Sequence, residues 1–193
     1  MWSRLPELIV LFLVIFDPLA SFAVFLAATE GLSDREKRGI AVQAVLVAVA
    51  LSLAVLLLGD RLLALFSLEL RDFRVAGGII LGILGIKMTL GEPLTDVDKL
   101  RHNSGRAIAA IIGSPLLTGP AAITAIIVAT HDHGRAVTGA AIAIVLGGTA
   151  LLFLVGATLR RYLGTTTVHV LTTFLGLVTI GWGVYFVRAG LAG

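Results

Sequence analysis

Charged residues in this sequence fall in short clusters separated by long uncharged stretches, and that spacing leaves little choice of fold. The hydrocarbon core of a bilayer, about 30 Å thick, is crossed by roughly 20 apolar residues in a helix. Residues 39–59, 107–130, 136–159 and 168–187 contain no Asp, Glu, Lys or Arg. Two further stretches are long enough but carry charge. Residues 8–29 are interrupted by Asp17 and Pro18, and residues 73–90 are bracketed by Arg74 and Lys87, whose long stems can snorkel to the interfaces. The expectation is an all-α integral membrane protein with six transmembrane helices. Only 14% of residues are charged, against about a quarter in a soluble domain, which excludes an ordinary water-soluble fold.

The chain has no cysteine, which rules out disulfides, thiol catalysis and Cys-ligated metal centres. Its 15 basic residues give a net charge of +3 but form no run or stripe, so nucleic acid is not an expected partner. They read instead as topology signals. Arg4, Arg61, Arg71, Arg74, Arg135 and Arg188 fall on one side of the expected spans, and the other nine, among them Lys99, Arg106, Arg160 and Arg161, on the opposite side. That bias places both termini outside and the connection 91–106 in the cytoplasm. Ala20-Ser21-Phe22-Ala23 mimics a signal-peptide cleavage site, but apolar sequence continues through Ala28, so the N-terminal stretch reads as a first span.

Sliding the chain against itself by 97 positions lays Asp17-Pro18-Leu19 on Ser114-Pro115-Leu116, Arg38 on Arg135, Ser52 on Thr149 and Gly59 on Gly156. The same register superposes span one on span four and span two on span five, and span six follows span three after a small shift. A duplicated unit with an odd number of spans inserts its second copy upside down. The expected organisation is two inverted three-helix repeats, residues 1–90 and 107–193, joined by the cytoplasmic connection 91–106.

At equivalent positions of the two repeats, an N-capping residue, Asp17 or Ser114, stands directly before a proline, a combination that starts a helix. Proline also disfavours helical geometry in the residue before it. Helices 1 and 4 are therefore expected to be discontinuous, the second more widely because Gly119-Pro120 follows. Non-helical backbone at membrane depth is tolerated only where it is buried in protein or lines a wet cavity, and half-helix N-termini favour an anionic group such as a carboxylate.

These breaks supply the candidate substrate-binding residues: Asp17, Pro18, Ser21, Ser114, Thr118, Gly119 and Thr124. An acidic group as deep as Asp17 must be neutralised, paired or functional. It is the candidate for the coupling proton or for meeting a substrate ammonium, the alternative being a purely structural cap. Ser114, Thr118 and the Gly119 amide can donate to a carboxylate, while the hydroxyls can equally bond carbonyls freed by the prolines. Lys87 reads as an interfacial anchor. His131, Asp132 and His133 read as a solvated loop, since ligands two residues apart do not share a helix face, and no metal site or cofactor is expected. Ser33 and Glu36 have the spacing of a capping box into span two, and Gly78, Gly82 and Gly85 allow close helix packing.

Phe16-Asp17-Pro18-Leu19, the run from Leu32 to Arg38, Arg74-Val75-Ala76-Gly77-Gly78-Ile79-Ile80 with Lys87-Met88, and Ser114-Pro115-Leu116-Leu117-Thr118-Gly119-Pro120-Ala121-Ala122-Ile123 occur in the order in which the MarC family of bacterial and archaeal inner-membrane proteins carries its motifs. The chain resembles that family over most of its length. The resemblance implies a six-span protein of the cytoplasmic membrane and a carrier of small neutral amino acids, of the glycine and alanine type, held by the two discontinuous helices. Ala20 and the Ser21-Phe22-Ala23 stretch replace a glycine and a following proline usual in the family, and Ala121 occupies another frequent glycine position, changes that alter the shape of the pocket.

Taken together, these features lead to a proton-coupled carrier whose partners are a small zwitterion and membrane lipids. The alternatives are an exporter of another small metabolite on the same fold, an assembly subunit, or a membrane-embedded enzyme. The last lacks two acids, or an acid and a His, at matched depth, so the expected activity is not enzymatic.

Overall fold

The computed structural model describes residues 2–65, 67–92, 95–159 and 165–192. Arg160 and Arg161, used in the charge count, lie outside the described residues. After one 3-10 turn, Trp2–Arg4, the helices are α1 (Leu5–Phe16), α2 (Pro18–Ala28), α3 (Asp34–Leu65), α4 (Leu70–Leu90), α5 (Val97–Arg101), α6 (Gly105–Ile111), α7 (Pro120–His133), α8 (Arg135–Leu159) and α9 (Thr165–Ala192), with π-type turns over Ile112–Leu117 between α6 and α7. Among the described residues, five stretches are long and apolar enough to cross a bilayer: Trp2–Ala28, Asp34–Leu65, Leu70–Leu90, Arg135–Val155 and Val170–Ala192. Gly105–Leu117 and Pro120–His133, bent by 53° to one another, make the sixth. The six-span all-α architecture is the expected one, and both the first and the fourth spans are broken.

Local chemistry sets the helix ends. Glu36 accepts from the Ser33 backbone N–H at 2.9 Å and from its hydroxyl at 2.6 Å, the capping box anticipated for α3. Glu69 and Asp72 form a second box at the start of α4. At the other end of α4, Gly91 turns left-handed (φ 70°) and the Glu92 N–H donates to the Lys87 carbonyl at 2.9 Å, a glycine-stopped helix end. The connection expected between spans three and four holds the short α5, capped by Asp96.

Packing joins helices of the first half to helices of the second. Antiparallel α3 and α8 meet with Asp60 3.3 Å from Arg135 and Leu56 against Gly139. The rings of Phe22 and Phe25 on α2 stack near Phe153 on α8, with centroids 5.9 and 5.0 Å away. The most extensive contact is α4 with α9. There Gly78 faces Gly183 and Gly85 faces Gly176 so closely that a Cβ on Gly78 or Gly85 would lie 2.6 Å from the opposite carbonyl oxygen. With no hydrophobic drive between helices in lipid, such backbone approach supplies the attraction through dispersion and Cα–H···O contacts. A shift of 98 residues carries Gly78 to Gly176 and Gly85 to Gly183, which turns one contact into the other.

Gly82, on the same helix as Gly85, has nothing within 4 Å of where its Cβ would stand. Gly85→Ala is therefore expected to destabilise by about 1–3 kcal/mol through overpacking, whereas Gly82→Ala is neutral or stabilising by up to about 1 kcal/mol from helix propensity. Unfolding in detergent, followed by circular dichroism, distinguishes the two; equal effects would contradict the close α4–α9 contact.

Candidate functional site

The first break is a single residue wide. Asp17 ends α1 in the left-handed region (φ 39°, ψ 68°), which Asp tolerates better than most side chains. Pro18 starts α2 without needing an N–H partner. Asp17 Oδ1 accepts from the Ala20 N–H at 3.2 Å, and the Asp17 carbonyl accepts from the Ser21 N–H at 3.1 Å. The other carboxylate oxygen, Oδ2, is buried without a hydrogen-bond partner. Asp17 is 4% exposed, and Ser21 beside it is buried as well.

The second break opens at Ser114 and is wider, as expected, but its α-helix resumes at the second proline rather than the first. Ser114 is extended (φ −154°, ψ 122°) and the Ser114–Pro115 peptide is cis. Helical geometry is interrupted at Ser114, the residue before the first proline, with short turns on either side of it up to Leu117, and the next α-helix begins at Pro120 with Gly119 at its N-cap. The second proline sets this position, since it is the one with helical geometry ahead of it. The Thr118 N–H donates back to the Gly113 carbonyl at 3.1 Å, which closes the widened turn. Two glycines are required sterically. A Cβ on Gly113 would lie 2.6 Å from the Ala44 carbonyl oxygen of α3, and one on Gly119 would lie 2.5 Å from the Pro115 carbonyl oxygen. Ile123 is the first residue of α7 whose N–H finds a carbonyl, that of Gly119 at 3.0 Å. The N–H groups of Ala121 and Ala122 are thus the orphan donors that every helix start leaves, aimed along the α7 axis at the break.

The breaks adjoin one another. Helix α2 packs on the Ile112–Leu117 turns, and Ile15, two residues before Asp17, shares the wall of a cavity of about 380 Å³ with Pro115, Gly119 and Ala122. The candidates divide between them. Asp17, Pro18 and Ser21 are buried at the first break, and Ser114 is half-buried at the second. The Thr118 hydroxyl donates to the Ala48 carbonyl of α3 at 3.4 Å, and the Thr124 hydroxyl donates to the Pro120 carbonyl at 3.1 Å, so both are engaged with main-chain carbonyls, that of a proline only for Thr124. Thr124 also lies against Gly77, whose Cβ would fall 2.0 Å from Thr124 Cγ2. Gly119 alone of the seven lines the cavity.

Three residues gain roles that residue-by-residue reading of the sequence did not assign. Ser52, one turn along α3 from Ala48, has a buried hydroxyl with no partner; its alignment with Thr149 in the repeat register is the signal that singles it out. Lys87 lines the cavity wall as well as standing near a helix end. Asp132, expected in a loop, sits in the last turn of α7, where both its carboxylate oxygens accept from Arg74 at 2.5 and 2.6 Å. That bond ties α7 to the second turn of α4. The helix runs on to His133 because Gly134 (φ 84°), not the His-Asp-His run, ends it.

A membrane chain with this arrangement can be compared with known proteins. The sequence profile of the MarC family, described as integral membrane proteins, matches residues 2–193. The chain belongs to the MarC family. Its relatives in that family include the UPF0056 inner membrane protein YhgN of Escherichia coli, 28% identical over 173 residues that cover 89% of this chain and 87% of that one. Another is the UPF0056 membrane protein MJ1677 of Methanocaldococcus jannaschii, 29% identical over 187 residues covering 93% and 91%. A third is YvbG of Bacillus subtilis, 27% identical over 205 residues covering 100% and 96%. No solved structure matches the chain. Both breaks thus belong to a MarC-family membrane protein matched along essentially its whole length.

Thr124 packs against Gly77 without leaving room for a methyl, so Gly77→Ala is expected to destabilise by about 1–3 kcal/mol. Thr124→Ala in the same chain removes the clashing atoms and restores most of that loss, with a coupling of about 1 kcal/mol or more. Independent effects of the two substitutions in detergent unfolding would place Thr124 away from this contact.

Proposed function

We propose that this chain is a secondary transporter of small neutral amino acids, of the glycine and alanine type, driven by protons and working by alternating access around its two broken helices. The setting is the cytoplasmic membrane of a bacterium or archaeon, with both termini outside and residues 91–106 in the cytoplasm. Residues 1–90 and 107–193 are the inverted units that rock against one another. The activity is movement of the cargo without chemistry on it.

The observation that carries this reading is Asp17: a buried carboxylate at the tip of a half-helix, with one oxygen capping α2 and the other without a partner. Buried polar atoms are nearly always bonded, and an exception deep in a span marks a group whose partner comes and goes. A proton or a substrate ammonium satisfies Asp17 Oδ2. The free N–H groups of α7 and the hydroxyl of Ser114 suit a carboxylate, with Ser52 as a further donor. Thr118 fixes the break against α3 and positions the others. Membership of the MarC family and the paired breaks support the same assignment.

Asp17→Asn keeps the left-handed residue and the capping oxygen while removing the charge. In proteoliposomes, uptake of glycine or alanine against a concentration gradient under an imposed pH gradient should fall to the level of protein-free vesicles in this variant, while exchange of labelled for unlabelled substrate persists. Unchanged pH-driven accumulation would remove Asp17 from the coupling step, and no uptake of either amino acid by the unaltered protein would overturn the substrate assignment.

A further inference from the structure

The cavity beside the second break has a chemistry of its own. On α4, Ile80, Ile83, Leu84 and Lys87 share one face at helical spacing and form one wall, while Ile15 and residues of the break form the other. Ile83, which lines the cavity, is more than half exposed on the outer surface of α4 together with Ile79 and Ile86. In a bilayer that surface meets hydrocarbon, so the groove is reached sideways from the lipid. At 1.5 Å per residue, Lys87 lies about 5 Å and Ile80 about 15 Å from the end of α4 at Leu90. The groove therefore runs from just under the interface to mid-membrane, the depth of one leaflet of a core about 30 Å thick. Its single charge sits at the shallow end. Lys87 is exposed, and among the described residues it forms no ion pair.

We propose that this groove holds one acyl chain of an anionic phospholipid whose phosphate is bound by Lys87. An apolar slot of leaflet depth with a cation at its shallow end is complementary to that molecule. The acyl chain fills the space beside Pro115, Gly119 and Ala122 and completes the apolar outer wall of the break, which keeps bulk lipid and water from competing for its main-chain donors. The site differs from the one around Asp17, and its occupancy is readable without transport.

The test uses the full chain, purified in detergent and stripped of lipid, with native mass spectrometry to count retained lipid. Phosphatidylglycerol should be retained over phosphatidylcholine of the same acyl composition, and glycerol phosphate, the headgroup without chains, should not bind. Lys87→Gln should weaken phosphatidylglycerol about fivefold, the effect of one basic residue at a membrane surface, and erase the preference between the two lipids. Ile83→Trp, at the exposed mouth of the groove, should reduce retention of both, whereas Lys99→Gln, on the connection that follows α4, should leave it unchanged. Equal retention of the two lipids by the unaltered chain, or undiminished preference in Lys87→Gln, overturns the proposal. So does a lipid-free dimer that Ile83→Trp dissociates, since a second copy would then cover the groove.

Discussion

Unpaired main-chain N–H and C=O groups cannot be left in hydrocarbon, and that constraint governs the rest of this molecule. Four of its spans obey it by being uninterrupted helix. The first and fourth break the rule and then repair most of the damage locally. At Asp17, one side-chain oxygen and one carbonyl take the donors of the new helix, and proline removes another. At the second break, Thr118 reaches back five residues to Gly113 with its N–H and across to α3 with its hydroxyl. Among the described residues, the buried side-chain atoms left without a partner are the second oxygen of Asp17, the hydroxyls of Ser52, Thr130 and Thr138 and Arg74 Nε, and the first amides of α7 stand free beside the second break. A carrier needs such a remainder, because a fully satisfied interior has nothing to offer a passing solute.

The breaks are held in place by unbroken helices packed with small residues. Gly78, Gly85, Gly176 and Gly183 bring α4 and α9 into backbone contact, and Gly113 lets the second break sit directly on α3. In water, burial of large apolar side chains would do this work; in lipid, where the surroundings are as apolar as the side chains, only close approach discriminates protein from solvent. The four glycines are placed reciprocally, Gly78 on Gly183 and Gly85 on Gly176. The two breaks differ in kind. An acid stands at one break and a hydroxyl at the other, one is a single residue wide, and the other spans Ser114 to Gly119.

Much of this was legible in the residues. Six spans followed from the spacing of charges, because the length of an apolar run is the physical requirement for crossing. Both breaks followed from a capping residue before proline, and the capping box of α3 from Ser33 and Glu36. Less visible was which of two prolines restarts the α-helix of the fourth span: the turn that follows Ser114-Pro115 stops at Leu117, and no local signal distinguishes it from a lasting helix start. Side-chain direction was also hidden. Thr118 and Thr124 carry hydroxyls suited to a ligand, yet both spend them on nearby carbonyls, a choice decided by packing against α3 and Gly77. Asp132 looked like loop because its partner, Arg74, lies 58 residues away. Lys87 looked like an anchor alone because a groove formed by three separate segments leaves no trace in any one of them.

The proposed transport requires that water and small solutes reach the interrupted backbone of the fourth span from within the protein. The absence of native cysteine makes single-cysteine accessibility the most direct measure of it. With cysteine in place of Ser114 in membrane vesicles, a charged, membrane-impermeant thiol reagent should react, and excess glycine or alanine should slow the reaction. Cysteine at Ile144, exposed on the outer face of α8, should stay inert. A Ser114 position as unreactive as Ile144, with or without the amino acids, would mean that the break is sealed and would contradict the account.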